Sequence, residues 1–182
     1  GVTADDISLR KVERTAMSGP DVVLENQGCR LTLAADGTVK SFFDKTLNAE
    51  QPAGTARPLM RATQGSWTFP ASAMSLQGDL LTVTFGDAKA KAFVQVQKRP
   101  YCLAFILKSS EPKLDAITLC DLQLPKLQTV ASSCGAVYND QTMWCLQTLH
   151  YDGQQVARQS DADNANLTVT YPDLSRPLYG KN

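Results

Sequence analysis

The sequence predicts an all-β protein, an antiparallel β-sandwich with little or no helix. Short runs of apolar residues alternate with polar residues, which is the period of a half-buried strand. Gly, Asp, Asn and Pro interrupt these runs about every 8 to 12 residues, the usual spacing in sandwiches and barrels. No stretch sustains the i, i+3, i+4 pattern of a capped helix.

The opening hairpin is the clearest element. Cys29, Leu31 and Leu33 alternate with polar residues, and Asp36–Gly37 supplies the residues that tolerate a tight turn before the partner strand. The sequence predicts strands over 21–25, 29–33 and 39–44, with turns at 26–28 and 44–48.

Further strands follow after a loop with two prolines. The run 101–108 is apolar on both faces, which predicts a central strand. The best helix candidate, 88–91, is too short to matter. We predict strands over 59–62, 66–69, 73–76, 80–85, 92–97, 101–108, 116–122, 129–132, 136–138, 142–149 and 167–171. The polar segment 152–165 is typical of a linker or a strap laid across the domain.

The bulk composition favours one domain. The 182 residues, 43% of them hydrophobic, are enough for a single core. Lys plus Arg and Asp plus Glu balance at 18 each, so no electrostatic footprint for nucleic acid is present. The longest apolar run, 103–107, is far below the ~20 residues of a membrane helix. We therefore expect neither a nucleic-acid partner nor a membrane span.

The domain boundaries follow from where the strand signals begin and end. We expect an N-terminal extension or edge strand over 1–20, the sandwich over 21–171, and a C-terminal tail or linker over 172–182. The start without Met or an apolar leader fits a removed signal peptide, hence an extracellular or periplasmic location, or a chain that begins within a longer protein. The absence of a closing strand favours a fragment of a longer polypeptide, or a terminus exposed to solvent.

Five cysteines, an odd number, cannot all pair within one chain. None lies in a CxxC pair, and no spacing matches a zinc site. One interpretation is that the cysteines are small, buried hydrophobic residues. A disulfide, Cys134–Cys145 or Cys120–Cys134, is the alternative, and it requires an oxidising compartment.

No set of residues forms a recognisable catalytic or metal centre. His150 is the only histidine, and no Gly-x-Ser-x-Gly or phosphate-binding loop is present. The segment 161–166 superficially resembles a calcium loop but lacks its central Gly and terminal Glu, so a plain polar loop is expected. The sequence therefore predicts no catalytic residue, no metal and no cofactor.

Aromatic residues near loops are the candidate ligand contacts. The apolar faces of sugar rings stack on aromatic side chains, while sugar hydroxyls point sideways to polar groups. The candidate carbohydrate-binding residues are Trp67, Tyr138, Trp144, His150 and Tyr151. Packing in the core or between sheets is the alternative role for both tryptophans, and a surface position at a strand end is the alternative for His150.

The segment 24–48, LENQGCRLTLAADGTVKSFFDKTLN, resembles the first hairpin of galactose-mutarotase-like β-sandwich domains in carbohydrate-active enzymes. The resemblance implies a supersandwich-like fold, as found at the N-terminus of glycoside hydrolases or within polysaccharide lyases. True mutarotases use catalytic histidines and a glutamate, a pattern that a chain with one histidine does not supply. No catalytic residue is carried over.

Three functional hypotheses follow. The first is a non-catalytic sandwich domain of a larger, bacterial, exported carbohydrate-processing protein. Such a domain binds carbohydrate or supports a catalytic domain of the same polypeptide. The second is a sugar epimerase or polysaccharide lyase in its own right, and the third is a structural or adhesive sandwich that binds protein.

Overall fold

The computed structural model describes residues 19–51, 56–86, 90–148 and 152–174. The prediction of an all-β antiparallel fold is confirmed, and among these residues the only helical element is a 3₁₀ turn at Ser132–Cys134. No helix in this part of the chain is long and apolar enough to cross a membrane. The strands are β1 Val22–Glu25, β2 Cys29–Leu33, β3 Val39–Asp44, β4 Ala49–Glu50, β5 Arg61–Gln64, β6 Trp67–Gln77, β7 Leu80–Phe85, β8 Ala90–Arg99, β9 Cys102–Glu111, β10 Ala116–Pro125, β11 Thr129–Ala131, β12 Ala136–Tyr138, β13 Met143–Cys145, β14 Gln154–Gln159 and β15 Asn164–Tyr171.

These strands form three antiparallel sheets. The first has the order β1-β2-β3-β4, and the second, of eight strands, has the order β14-β15-β10-β5-β6-β7-β8-β9. The third contains β11-β12-β13. Buried side chains of all three sheets belong to one hydrophobic core, for example Leu24 from β1, Phe85 from β7 and Val137 from β12. The sheets therefore stabilise one another through shared apolar burial.

The opening hairpin forms as predicted. Leu31 and Leu33 point into the core, while Arg30 and Thr32 between them do not. At the turn, the Asp36 carboxylate accepts a hydrogen bond from the Thr38 amide at 2.8 Å, and Gly37 adopts φ of 84°. A side chain at Gly37 would also meet Met74 at 2.8 Å, so the turn packs closely on β6.

Strand β6 joins two halves of the eight-stranded sheet. The sequence pattern predicted two short strands here, but the structure has one strand of 11 residues. Its first part, to Pro70, pairs with β5, and its later part, from Ala71, pairs with β7. The register with β7 shifts at a bulge between Ala71 and Ala73, which interrupts the alternation of the sequence.

The prediction of a central strand at 101–108 is wrong. This segment lies in β9, which is the edge of the eight-stranded sheet and pairs only with β8 among the described strands. Leu103 and Phe105 are only partly buried there. The interior strand with the longest buried run is β10, which pairs with β5 and β15 and is buried from Ile117 to Leu124.

The polar segment 152–165 is not a linker. It contains strand β14, which pairs with β15 over its whole length and forms the other edge of the large sheet. The sequence pattern did not predict this strand because only one of its six residues, Ala157, is buried. Farther along, Leu174 is buried and its amide donates to the Asp115 carbonyl at 2.7 Å, so the chain still packs on the sandwich there.

Candidate functional site

A polar hollow lies on the face of β10, β15 and β14 that points away from the core. Along β15, the four residues Ala165, Leu167, Val169 and Tyr171 are buried, and the residues between them face the other way. This alternation places the polar side chains Asn166, Thr168 and Thr170 side by side on one face.

The register of the strands arranges these side chains in rows across the sheet. Gln123 of β10 and Arg158 of β14 lie opposite Asn166, while Asp121 lies opposite Thr168. In the neighbouring row, Thr118 and Thr170 share a hydrogen bond of 3.0 Å between their hydroxyls. Directly opposite side chains on one sheet face are close enough to interact, so the rows form a continuous polar surface.

The centre of the surface is the carboxylate of Asp121, which is only 2% exposed. Arg61 of β5 donates to its Oδ2 at 2.5 Å. The Nε of Arg57 lies 3.8 Å from its Oδ1, and among the described residues neither of these two atoms has a hydrogen-bond partner. The Asp121 charge is therefore compensated by two guanidinium groups, as a buried carboxylate requires.

Arg57 links this ion pair to the neighbouring strand. Its Nη2 donates to the Asn166 side-chain oxygen at 2.6 Å, so Arg57 bridges Asp121 and β15. The two residues of that bond are 109 positions apart in the sequence. Only the sheet topology, with β5 beside β10 and β10 beside β15, brings them together.

The hollow has a volume of about 490 Å³ and is open to solvent. Its lining contains three arginines, Arg57, Arg61 and Arg158, against one carboxylate, Asp121, so it carries an excess of positive charge. The other lining side chains are Gln154, Val156, Gln159, Ser160, Asn166, Thr168 and Thr170. Arg158 is exposed and makes no ion pair with any described residue, so its guanidinium is free to contact a ligand.

A second groove, of about 530 Å³, lies between β1 and the β6–β7 hairpin. Its lining is mostly apolar, with Val22, Met74 and Leu76 among the residues. Its one ionisable side chain, Asp21, is paired with Lys40 at 2.7 Å. This groove has far fewer charged and polar side chains that could recognise a ligand than the polar hollow has.

Trp67, the first candidate from the sequence, does not line the hollow. It is 71% exposed at the start of β6, near the tip of the β5–β6 hairpin. Strand alternation places it on the face of Phe69, opposite the face that carries Thr68. An exposed indole can stack on a sugar, but here it would do so at a separate place.

Tyr138 and Trp144 lie in the three-stranded sheet. Tyr138 is partly exposed, whereas Trp144 is 9% exposed and packs edge-on against Phe42 with ring centroids 6.4 Å apart. The Trp144 indole nitrogen donates to the Asp44 Oδ2 at 2.9 Å. Trp144 therefore has the inter-sheet packing role that the sequence left open as an alternative, and its ring faces are not free for a sugar.

Two of the candidates, His150 and Tyr151, lie outside the described residues.

The segment that resembles a calcium loop is the hairpin turn between β14 and β15. The Asp161 carboxylate accepts hydrogen bonds from the backbone amides of Asp163 and Asn164 at 2.9 and 2.8 Å, which is the role of Asp in a turn. Among the described residues no group of three His, Cys, Asp or Glu side chains could hold a metal ion.

Sequence reasoning did not find the residues of the hollow. Asp121 stands in the run LCDLQLP, where a charged residue inside an otherwise buried strand was the available signal. A carboxylate is rarely buried without a cationic partner, so this position predicts an arginine or lysine nearby. The sequence alone does not say which one.

Comparison of the chain with family models and with curated proteins gives no match in either set.

Proposed function

We propose that this domain binds carbohydrate in the polar hollow on β10, β14 and β15, and that its ligand carries an acidic group. The domain would be a non-catalytic part of a larger, exported, bacterial carbohydrate-processing protein. The observation that carries the proposal is the lining itself, which contains three arginines, one buried carboxylate, and amide and hydroxyl groups beside them.

The chemistry of a saccharide matches this lining. Sugar hydroxyls both donate and accept hydrogen bonds, and Asn, Gln, Ser and Thr side chains supply both functions. Arg57 and Asn166 are already fixed by their hydrogen bond, so these polar groups are positioned before a ligand arrives. Preorganised groups lose less entropy on binding, which favours affinity for a small polar ligand.

The excess positive charge selects among saccharides. A uronate carboxylate or a sulfate would form charge-assisted hydrogen bonds with Arg158, whose guanidinium has no described ionic partner. A neutral sugar would make no such pair. The ligand class that fits best is an acidic oligosaccharide.

The lining has one carboxyl group, which is too few for the hydrolysis of a glycosidic bond. Glycosidases use two carboxyl groups across the scissile bond, one as acid and one as base or nucleophile. Asp121 is the only carboxylate in the lining, and two arginines hold it. A role in binding rather than in cleavage therefore suits the described residues best.

A glycan array containing neutral, uronate-containing and sulfated glycans tests the proposal. The whole chain should bind acidic glycans and leave neutral ones of similar length unbound. Binding restricted to neutral glycans would contradict the role of the arginines. Binding to no glycan by a folded protein would remove the carbohydrate claim.

Arg158→Ala is the direct test of the site, because this exposed arginine supports no described ion pair and its loss should leave the fold intact. Loss of a charge-assisted hydrogen bond costs about 1.5–3 kcal/mol, so the Kd should rise about 10- to 150-fold. Arg99→Ala is the matched control, since Arg99 is exposed at the end of β8 and does not line the hollow.

Trp67→Ala separates this site from the exposed hairpin. If the hollow is the binding site, this variant should bind as the unmodified chain does. If Trp67→Ala abolishes binding and Arg158→Ala does not, the ligand lies at the β5–β6 hairpin and the assignment to the hollow is wrong.

A further inference from the structure

The ion pair in the polar hollow contains one hydrogen-bond donor and one acceptor that are both unsatisfied. The Nε of Arg57 and the Oδ1 of Asp121 lie 3.8 Å apart, which is too far for a hydrogen bond between them. Both atoms are buried, and neither has a hydrogen-bond partner among the described residues. Buried polar atoms in native proteins are almost always paired, so these two atoms indicate a place for a third group.

Other side-chain contacts hold the two atoms apart. The second oxygen of the carboxylate, Asp121 Oδ2, accepts from Arg61 Nη1 at 2.5 Å. At the far end of the other guanidinium, Arg57 Nη2 donates to the Asn166 side-chain oxygen at 2.6 Å. A direct Nε–Oδ1 bond would need the 3.8 Å separation to shrink by about 0.9 Å, which would disturb one of these two bonds.

Backbone hydrogen bonds also fix the segment that carries Arg57. Its carbonyl accepts from the Val39 amide at 3.0 Å, and the Leu59 amide donates to the Gly37 carbonyl at 2.9 Å. On the other side, the Asp121 amide donates to the Leu59 carbonyl at 2.8 Å. The segment is therefore attached to both the opening hairpin and β10, so the backbones of Arg57 and Asp121 keep a fixed separation.

The chemistry of the two atoms selects the group that completes them. This group has to accept from the guanidinium N–H and donate to the carboxylate oxygen at the same time, and a hydroxyl does both with one atom. A carboxylate or a sulfate only accepts, and the Asp121 charge would repel it. An oxygen about 2.9 Å from each atom would lie about 2.2 Å from the line that joins them.

We propose that Arg57 Nε and Asp121 Oδ1 together bind one free hydroxyl of the acidic saccharide and thereby determine which saccharides the hollow accepts. This inference rests on the proposed function, in which the acidic group of the ligand contacts Arg158. The two contacts are close together, because Arg158 lies opposite Asn166 in the register and Arg57 donates to the same Asn166. A methyl ether, an acetyl ester or a sulfate ester at that hydroxyl cannot donate, so the hollow should reject it.

The exposure of the two side chains indicates how the hydroxyl enters. Both residues line the hollow, but the Arg57 side chain is 29% exposed and that of Asp121 is 2% exposed. An incoming hydroxyl therefore meets Arg57 first and reaches Asp121 Oδ1 by displacing the Arg57 side chain toward solvent. The Asp121 carboxylate stays in place, because Arg61 holds its other oxygen.

A series of modified sugars tests the inference on the unmodified chain. Calorimetric titration compares a disaccharide that contains glucuronic acid with each of its monodeoxy and mono-O-methyl derivatives. At one ring position, both changes should raise the Kd by about 10- to 150-fold, because each leaves the buried carboxylate without its donor. If the parent binds and every derivative binds equally well, the hydroxyl contact is wrong and the proposed function stands. If the parent does not bind, this inference fails, and the glycan array decides separately whether the proposed function fails as well.

Arg57→Lys connects the sensitive hydroxyl to this pair of atoms. The variant keeps a positive charge beside Asp121 but lacks the Nε donor, so the parent sugar should bind more weakly and the sensitive derivative should lose no further affinity. Arg99→Ala, outside the lining, should keep the full ratio of the two Kd values. An unchanged ratio in a folded Arg57→Lys variant, checked by circular dichroism, would mean that the hydroxyl binds elsewhere and would overturn the inference. If that variant does not fold, the sugar series alone decides.

Discussion

Trp144→Phe should destabilise the sandwich through one buried hydrogen bond. The change keeps an aromatic ring against Phe42 and removes the indole N–H that donates to Asp44 at 2.9 Å. Asp44 is itself buried, at 5% exposure, so its Oδ2 would lose its partner without gaining full access to water. The Asp44 carboxylate also holds the following turn, since its Oδ1 accepts from the amides of Thr46 and Leu47.

The expected loss of stability follows from the charge of the hydrogen-bond acceptor, the Asp44 carboxylate. A hydrogen bond to a charged group contributes about 1.5–3 kcal/mol, and a buried acceptor left alone costs a similar amount. For a protein of this size, 1 kcal/mol corresponds to about 2–4 °C in Tm. Trp144→Phe should therefore lower the Tm by about 3–12 °C.

The sequence offers a matched control, because it contains only two tryptophans. Trp67 is 71% exposed, so Trp67→Phe should change the Tm by less than about 2 °C, in line with ordinary surface substitutions. Both variants are measured by circular dichroism and by calorimetry. If the Tm of Trp144→Phe lies within about 1 °C of the Tm of the unmodified chain, the Trp144–Asp44 bond does not stabilise the junction of the sheets.

Two further predictions concern a glycine and the buried thiol. Gly135→Ala should lower stability by about 1–3 kcal/mol in denaturant unfolding, because Gly135 has φ of 61° and an added Cβ would lie within van der Waals overlap of the Leu146 carbonyl. Gly65→Ala, with a similar φ of 58° and nothing within 4 Å, should cost less, and equal losses would refute the steric part of the argument. Burial, with a smaller effect of Asp121, raises the pKa of the Cys120 thiol to about 12. The unfolded thiol ionises near its ordinary value of 9.0, so the folded state keeps its proton longer and stability should fall as the pH rises from about 9 to about 12. Cys120→Ala should flatten that part of the pH profile, and an unchanged slope would contradict the assignment.

The elements that sequence reasoning found are those with strong local patterns. The hairpin around Asp36–Gly37 combines period-2 alternation with turn residues, and both features act within a few residues. Strand β14 was missed because an edge strand with one buried residue has no apolar alternation. The edge position of β9 was missed because apolar content alone does not reveal which strands lie beside a segment.

The polar hollow depends on contacts that no local pattern contains. Arg57, Asp121 and Asn166 come from three distant parts of the chain and meet because β10 lies beside both β5 and β15. The sequence analysis selected the aromatic residues because aromatic rings stack on the apolar faces of sugars. Burial of Trp144 and exposure of Trp67 are consequences of the tertiary packing, and the sequence left both roles open.

The most direct test of the central claim is an amide chemical-shift titration of the whole chain with an oligosaccharide that contains glucuronic acid. Binding in the hollow predicts the largest shifts along β14 and β15, from Gln154 to Arg158 and from Asn166 to Thr170. Shifts confined to the β5–β6 hairpin around Trp67, or no shifts at saturating ligand, would contradict the claim.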